Sequence, residues 1–178
     1  MGAWAVLGSI RPGYSPIDDA ISRLAAIGAP HRWWMEAGFV AFGIAIPLYA
    51  RALRVAVPGW AWVAATVTGL ATLGVAAAPL GRADGLHAVF ATIGYASLAA
   101  APLLAAPRFR SAGRRRWAVA SVAAGAVSAL LLAASTVAPH HGFTQRAGLG
   151  AVDAWIVATA WVMWRTGRLL GPSGAVSS

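Results

Sequence analysis

Five long apolar runs divide this chain, and their lengths constrain its fold more than any other feature. They cover residues 33–50, 60–78, 86–106, 117–138 and 149–164, of which the last is the shortest. A helix needs about 20 apolar residues to cross a hydrocarbon core of about 30 Å. Lipid does not tolerate open strands, and the sequence has no alternating pattern typical of a barrel. The sequence therefore predicts an all-α, polytopic membrane helix bundle with five full transmembrane helices.

The composition favours the same class and limits the partners. Of the 178 residues, 59% are hydrophobic and 11% are charged, whereas soluble domains carry about 25% charged residues. The 14 basic residues are all arginine, and they fall in short breaks between the apolar runs. We therefore expect membrane lipids, a membrane protein or a second copy of the chain as partners, and no nucleic acid. Because the chain contains no cysteine, disulfides, thiolate catalysis and cysteine-based metal or haem sites are excluded, and no cofactor is expected.

Two segments precede the first long run. Residues 1–10 are apolar but long enough to cross only about half a bilayer, so we expect a partial first helix: a half-helix, or the end of a span that begins upstream. Residues 11–32 form the longest polar segment, with Ser15 suited to the N-cap, Pro16 to the first helical position and Gly28 to the stop. Three apolar residues recur there at helical spacing: Ile17, Ile21 and Leu24. The segment is predicted to be a short amphipathic helix on the membrane surface, forming an outer-face polar connection.

The arginines predict the orientation of the bundle. One side carries Arg51, Arg54, Arg108, Arg110, Arg114, Arg115, Arg116, Arg165 and Arg168, and the other carries Arg11, Arg23, Arg32, Arg82 and Arg146. The arginine-richer side is expected to be cytoplasmic. We therefore predict one membrane domain, residues 1–178, in the cell membrane, with a cytoplasmic C-terminus and a flexible tail at 171–178.

Three stretches of sequence carry a family resemblance. They are RPGYSPIDDAISRLAAIGAPHRWWMEAGFVAFG (11–43), LHAVFATIGYASL (86–98) and GFTQR (142–146). Over nearly its whole length the chain resembles the prokaryotic integral membrane family catalogued as domain of unknown function 998. The resemblance implies six helices with a long polar connection after the first, and it implies no particular activity. The family pattern has an acidic residue in place of Arg23, an asparagine near Glu36 and a glutamate in place of Gln145.

Ionisable residues inside the apolar runs are the candidate site. Glu36 and Asp153 each lie about one turn inside a run, where a charge is costly unless it faces a cavity, a partner or water. One interpretation is an outer-face polar pocket ringed by Glu36, His87, His140, His141, Arg146 and Asp153. The alternative is structural: Glu36 pairs with Arg32 or Arg146, Asp153 caps or pairs locally, and the histidines are interfacial. No metal site is expected, because the adjacent histidines would point about 100° apart on a helix.

Two function classes remain open. In the first, the protein is not an enzyme and binds a lipid or a membrane partner through the pocket, with His87, His140, His141, Arg146 and Trp155 as ligand-binding residues. In the second, it is an intramembrane isomerase or cyclase acting on a prenyl or lipid chain. Glu36 would then be the catalytic acid and Asp153 the base, and Trp155 would offer a π-face to a carbocation.

Overall fold

The computed structural model describes residues 2–166, which form six α-helices and no strand. The helices are α1 (Ala3–Ile10), α2 (Arg32–Ala56), α3 (Ala61–Ala77), α4 (Asp84–Ser111), α5 (Arg115–Ala134) and α6 (His141–Thr166). A single turn of 3-10 helix, Ile21–Ala25, lies between α1 and α2. Helices α2, α4, α5 and α6 are long and apolar enough to cross a membrane, and α3 is a shorter apolar helix of 17 residues. The prediction of an all-helical, multi-pass membrane bundle is confirmed at this level.

Each long helix packs mainly against the next one in the chain. The pairs α2–α3, α3–α4, α4–α5 and α5–α6 form the largest contacts, and α6 also returns to touch α4 and α2. Successive helices are joined by short loops, so they run antiparallel. We call the end that carries residues 11–31 and the starts of α2, α4 and α6 the connection end. The opposite end, which carries residues 51–60 and 108–116, is the arginine end.

Small residues bring neighbouring helices close together. A Cβ on Gly69 of α3 would overlap Pro47 of α2 and lie 2.8 Å from the carbonyl oxygen of Gly43. A Cβ on Gly125 of α5 would lie 2.7 Å from the carbonyl oxygen of Ala99 in α4. Close backbone approach of this kind is how helices associate where lipid gives no hydrophobic driving force.

The predicted surface helix is wrong. Residues 11–31 form turns around the one 3-10 turn, with no α-helix. The first turn of the predicted helix does form, since the Ser15 carbonyl accepts from the amide of Asp19 at 2.7 Å. The turn ends at Ala20, whose backbone is extended, with ψ 149°. The helix does not continue because its backbone groups bind α6 instead: the amide of Ile21 donates to Gln145 at 2.9 Å. Tertiary hydrogen bonds thus replace helical ones.

Several boundaries also differ from the sequence prediction. Helix α6 begins at His141, about two turns before the expected start of its apolar run, and α5 ends at Ala134 rather than near residue 138. The extra turns of α6 contain Gln145 and Arg146, whose polar side chains have partners in the connection. The pattern of five full spans plus a half-helix is not confirmed, and the expected tail at 171–178 lies outside the described residues.

Candidate functional site

A cavity lies between the helices at the connection end. It contains about 880 Å³ of space, including its mouth. Helices α1, α2, α3, α4 and α6 contribute to its wall, and Ile21 and Ser22 of the 3-10 turn also line it. The wall is mostly aromatic or aliphatic, as at Trp4, Met35, Phe39, Phe42, Phe90 and Leu149. A concave, largely apolar space with a few polar groups is the usual form of a small-molecule site.

One face of α4 provides the longest wall of the cavity. Its lining residues recur at helical spacing: His87, Phe90, Ala91, Gly94, Tyr95 and Leu98. From His87 to Leu98 the helix axis rises by about 16 Å over eleven residues. The cavity therefore reaches from the connection end towards the middle of the bundle.

Gln145 joins three elements at the polar end of the cavity. Its side-chain oxygen accepts from the amide of Ile21 at 2.9 Å, and its side-chain nitrogen donates to the hydroxyl of Tyr95. Gln145 is buried, with 7% of its surface exposed. An unmade hydrogen bond in such a place is costly, so this amide fixes the 3-10 turn of the connection against α4 and α6.

His87 lies in the first turn of α4 and is buried. Its Nδ1 is 2.8 Å from the carbonyl oxygen of Ala78, where the chain leaves α3. Because a carbonyl can only accept, Nδ1 carries a proton, and in the neutral form of such an imidazole Nε2 is an acceptor. Nε2 makes no hydrogen bond within residues 2–166 and is not among the buried unpaired atoms, so it faces open space. His87 lines the cavity, and its role as a ligand-binding residue stays a prediction.

Arg146 holds the connection over the cavity from outside. Its guanidinium donates to the carbonyl oxygens of Pro16 and Asp19, both at 2.8 Å, and to the hydroxyl of Tyr14. It also lies 4.8 Å from the ring centre of Trp4. Burial raises the pKa of Tyr14, although Arg146 acts in the opposite direction, so the tyrosine stays neutral and can accept from the arginine. Arg146 does not line the cavity; it ties the connection to the first turns of α6.

A second link joins the connection to the start of α6. His140 Nδ1 lies 2.8 Å from a carboxylate oxygen of Asp18, and the hydroxyl of Ser15 donates to the other oxygen at 2.7 Å. The hydrogen bond from His140 lowers the pKa of Asp18, with Ser15 as the next cause. Both side chains are exposed, so water screens this link.

The structure places the other predicted site residues outside the cavity lining. Glu36 lies 3.7 Å from Arg32 on the same helix, as the structural alternative proposed. Asp153 is half-buried further along α6. Trp155 belongs to the hydrophobic core and donates to the hydroxyl of Ser121 at 2.8 Å. His140 serves the connection, and neither it nor His141 lines the cavity. Among the residues lining the cavity in the described range there is no Asp, Glu or Arg.

Sequence reasoning overlooked the uncharged residues of the site. Gln145, Tyr95 and Ser22 line the cavity, and none of them is ionised at neutral pH. The signal that could have found Tyr95 is its spacing of eight residues from His87, which is close to two helical turns and places both residues towards the same side of α4. Nothing in residues 2–166 assembles three His, Cys, Asp or Glu side chains close enough to hold a metal ion.

The fold and the cavity define a helical, multi-pass membrane protein with a mostly apolar cavity between its helices. The family model described as "Protein of unknown function (DUF998)" matches residues 1–162. The chain belongs to this family, as its resemblance implied. No curated protein and no solved structure shows a significant match to it.

Proposed function

We propose that this protein binds the hydrocarbon chain of a membrane lipid in the cavity at the connection end. One observation carries the proposal: the wall is mostly aromatic and aliphatic, and Ser22, His87 and Gln145 lie towards the connection end. The other polar lining residues are Tyr95, which bonds to Gln145, and Thr68 and Thr72, whose hydroxyls donate to carbonyl oxygens of their own helix. An amphiphile from the bilayer matches such a wall, since its chain would lie against Phe39 and Phe42 while its head meets the polar groups.

Selectivity must come from shape and from the polar end rather than from hydrophobicity. A lipid tail that moves from the bilayer into the cavity exchanges one apolar environment for another, so little hydrophobic free energy is gained. Rigid rings such as Phe42 and Phe90 favour a chain by dispersion and by fixed geometry. The hydrogen bonds at Gln145 and Tyr95 keep the polar end in one arrangement before a ligand arrives.

Binding is better supported than catalysis. The intramembrane enzyme needs an acid and a base beside the ligand, and neither Glu36 nor Asp153 lines the cavity. Trp155, the proposed π-face, lies in the core against Ser121. No observation in the described residues favours the enzyme over the binding protein.

We also propose that the connection end faces away from the cytoplasm. Most arginines lie at the opposite end, and some of those at the connection end have local partners: Arg23 with Asp19 at 2.7 Å and Arg32 with Glu36 at 3.7 Å. The positive-inside rule therefore favours a cytoplasmic arginine end and a cytoplasmic C-terminus in the cell membrane. A topology reporter inserted at Gly113 should report the cytoplasm, and a periplasmic signal there would contradict this orientation.

The test of binding compares two phenylalanine substitutions on α4. Ala91→Phe adds a ring inside the cavity, whereas Ala96→Phe adds the same ring at an exposed position of the same helix. Each protein is purified in mild detergent, checked for folding by size-exclusion chromatography, and its co-purifying lipid is measured by mass spectrometry. We expect about one lipid per chain in the parent and in Ala96→Phe, and a several-fold loss in Ala91→Phe. Equal lipid content in all three proteins would contradict binding in the cavity.

A further inference from the structure

The cavity contrasts with its surroundings in charge. Arg146 and Glu36 lie at the connection end, but neither lines the cavity. Arg146 donates to backbone carbonyl oxygens and to Tyr14, and Glu36 faces Arg32. Nε of Arg146 is buried without a partner, although it belongs to a side chain outside the lining. A carboxylate or phosphate placed in the cavity would find no lining cation, and burying an unpaired charge is strongly unfavourable.

The polar end of the cavity offers both donors and acceptors. The Tyr95 hydroxyl accepts from Gln145, and its own proton has no acceptor within residues 2–166. His87 uses Nδ1 to reach Ala78 and keeps Nε2 as an acceptor. The hydroxyl of Ser22, which can act either way, makes no hydrogen bond in the described part of the chain. All three residues line the cavity.

The lack of charged residues in the described cavity lining, together with the donors and acceptors at its polar end, indicates the chemistry of the ligand. A carboxylate only accepts hydrogen bonds, an ammonium only donates them, and a hydrocarbon does neither, whereas a hydroxyl group does both. We propose that the cavity selects an uncharged lipid, a long hydrocarbon chain whose polar end carries a hydroxyl group, held by Tyr95 and by His87 or Ser22. This inference rests on the proposed function, because it names the head group of the lipid bound there.

The positions of the polar residues determine how the proposed lipid would lie in the cavity. Ser22 is in the 3-10 turn that covers the cavity, and Gln145 is in the second turn of α6, so the hydroxyl end lies towards the connection. The chain then points along the α4 wall past Gly94 to Leu98, about 16 Å from His87 along the helix. An extended chain of about a dozen carbons matches this depth.

The test uses four radiolabelled probes with one chain length that matches this depth: dodecan-1-ol, dodecanoate, dodecyl phosphate and dodecane. Saturable binding of each is measured on the purified full chain in detergent. We expect the alcohol to bind at least about tenfold more tightly than the other three, since one or two added hydrogen bonds correspond to about that factor. Equal binding of all four would overturn the head-group inference and leave chain binding intact. Tighter binding of an anion would also overturn it. Absence of saturable binding for every probe would overturn the proposed function as well.

Variants separate the named residues from general effects. Tyr95→Phe removes the donor and should reduce the preference for the alcohol over dodecane to less than about threefold. Tyr49→Phe is the matched control, since its hydroxyl bonds to Thr159 outside the cavity, and it should keep the preference. His87→Asn can still donate to Ala78 but lacks Nε2, so it tests the acceptor independently if Tyr95→Phe fails to fold. An unchanged preference in a folded Tyr95→Phe or His87→Asn protein would show that the residue does not hold the head group.

Discussion

Replacing Arg146 by methionine is expected to release the connection from the end of the bundle. Methionine keeps a long apolar side chain but removes every donor. The two bonds that tether the connection, to the carbonyl oxygens of Pro16 and Asp19, are both 2.8 Å long. A third contact, to the hydroxyl of Tyr14, fixes the turn that precedes them. Loss of the guanidinium therefore acts on the segment that covers the cavity and leaves the transmembrane packing in place.

The size of this effect follows from the number and the exposure of the bonds. A hydrogen bond to a charged group contributes about 1.5–3 kcal/mol, and the contact to Asp19 is part-buried whereas that to Pro16 is exposed. Water replaces part of what is lost, so we expect the free energy of opening the segment to fall by about 2–4 kcal/mol. Since about 1.4 kcal/mol is tenfold in an equilibrium constant, the segment should open roughly 30-fold to 700-fold more often.

Hydrogen–deuterium exchange measures this opening directly. The amides of Asp19 and Ile21 are reporters, because they are bonded to Ser15 at 2.7 Å and to Gln145 at 2.9 Å, and amide exchange tracks local opening. Arg82→Met is the matched control: Arg82 is exposed at the same end, and its side chain makes no hydrogen bond within residues 2–166. Exchange that rises less than about threefold in Arg146→Met, or equally in both variants, would refute the tethering role.

Two further predictions concern charged residues outside the cavity. Glu36→Gln should lower the free energy of unfolding by about 1–3 kcal/mol, since Arg32 loses its counter-charge in a mostly buried place. Glu36→Gln and Asp153→Asn should both retain bound lipid. Loss of lipid from either folded variant would show that its carboxylate belongs to the binding site. Asp18 should titrate below the ordinary aspartate pKa of about 3.9, because His140 donates to it. Because folding lowers the pKa of Asp18, its link to His140 stabilises the fold above the unfolded pKa. This stabilisation is lost as the pH falls through the folded pKa. Carbon NMR of the Asp18 carboxyl should show the low midpoint in the parent and a higher one in His140→Ala; equal midpoints would count against the link.

The helices could be predicted from the sequence because lipid leaves an apolar run of about 20 residues few alternatives. The ends of the helices could not, because they depend on partners far away in the chain. Helix α6 begins at His141 rather than within the apolar run, and its first turns include Gln145, which binds Ile21. The same contact lies at the 3-10 turn that stands in place of the predicted surface helix. Long-range contacts between the connection and the first turns of α6 therefore accompany both differences, and a local sequence pattern does not encode them.

The site was only partly predictable for a related reason. Ionisable residues in or beside apolar helices predict a site, but of the predicted site residues only His87 lines the cavity, whereas Arg146 and Glu36 have structural partners. A charge in a low-dielectric region requires a partner, so the fold surrounds these residues with carbonyl oxygens, a phenol or a counter-ion. Once paired, these charged side chains are not available to bind a small molecule.

The same physics explains why the uncharged groups are the ones left for a ligand. A hydroxyl or an imidazole can keep one unused hydrogen-bonding position at a cost of about 1–3 kcal/mol, much less than that of an unpaired charge. Tyr95 and His87 each keep such a position at the cavity. Under the proposed function, a ligand would supply the second partner, and the new hydrogen bonds would then add to its affinity. In this chain the charged residues Arg146 and Glu36 have partners at the connection end, and we propose that the neutral polar residues determine what the cavity accepts.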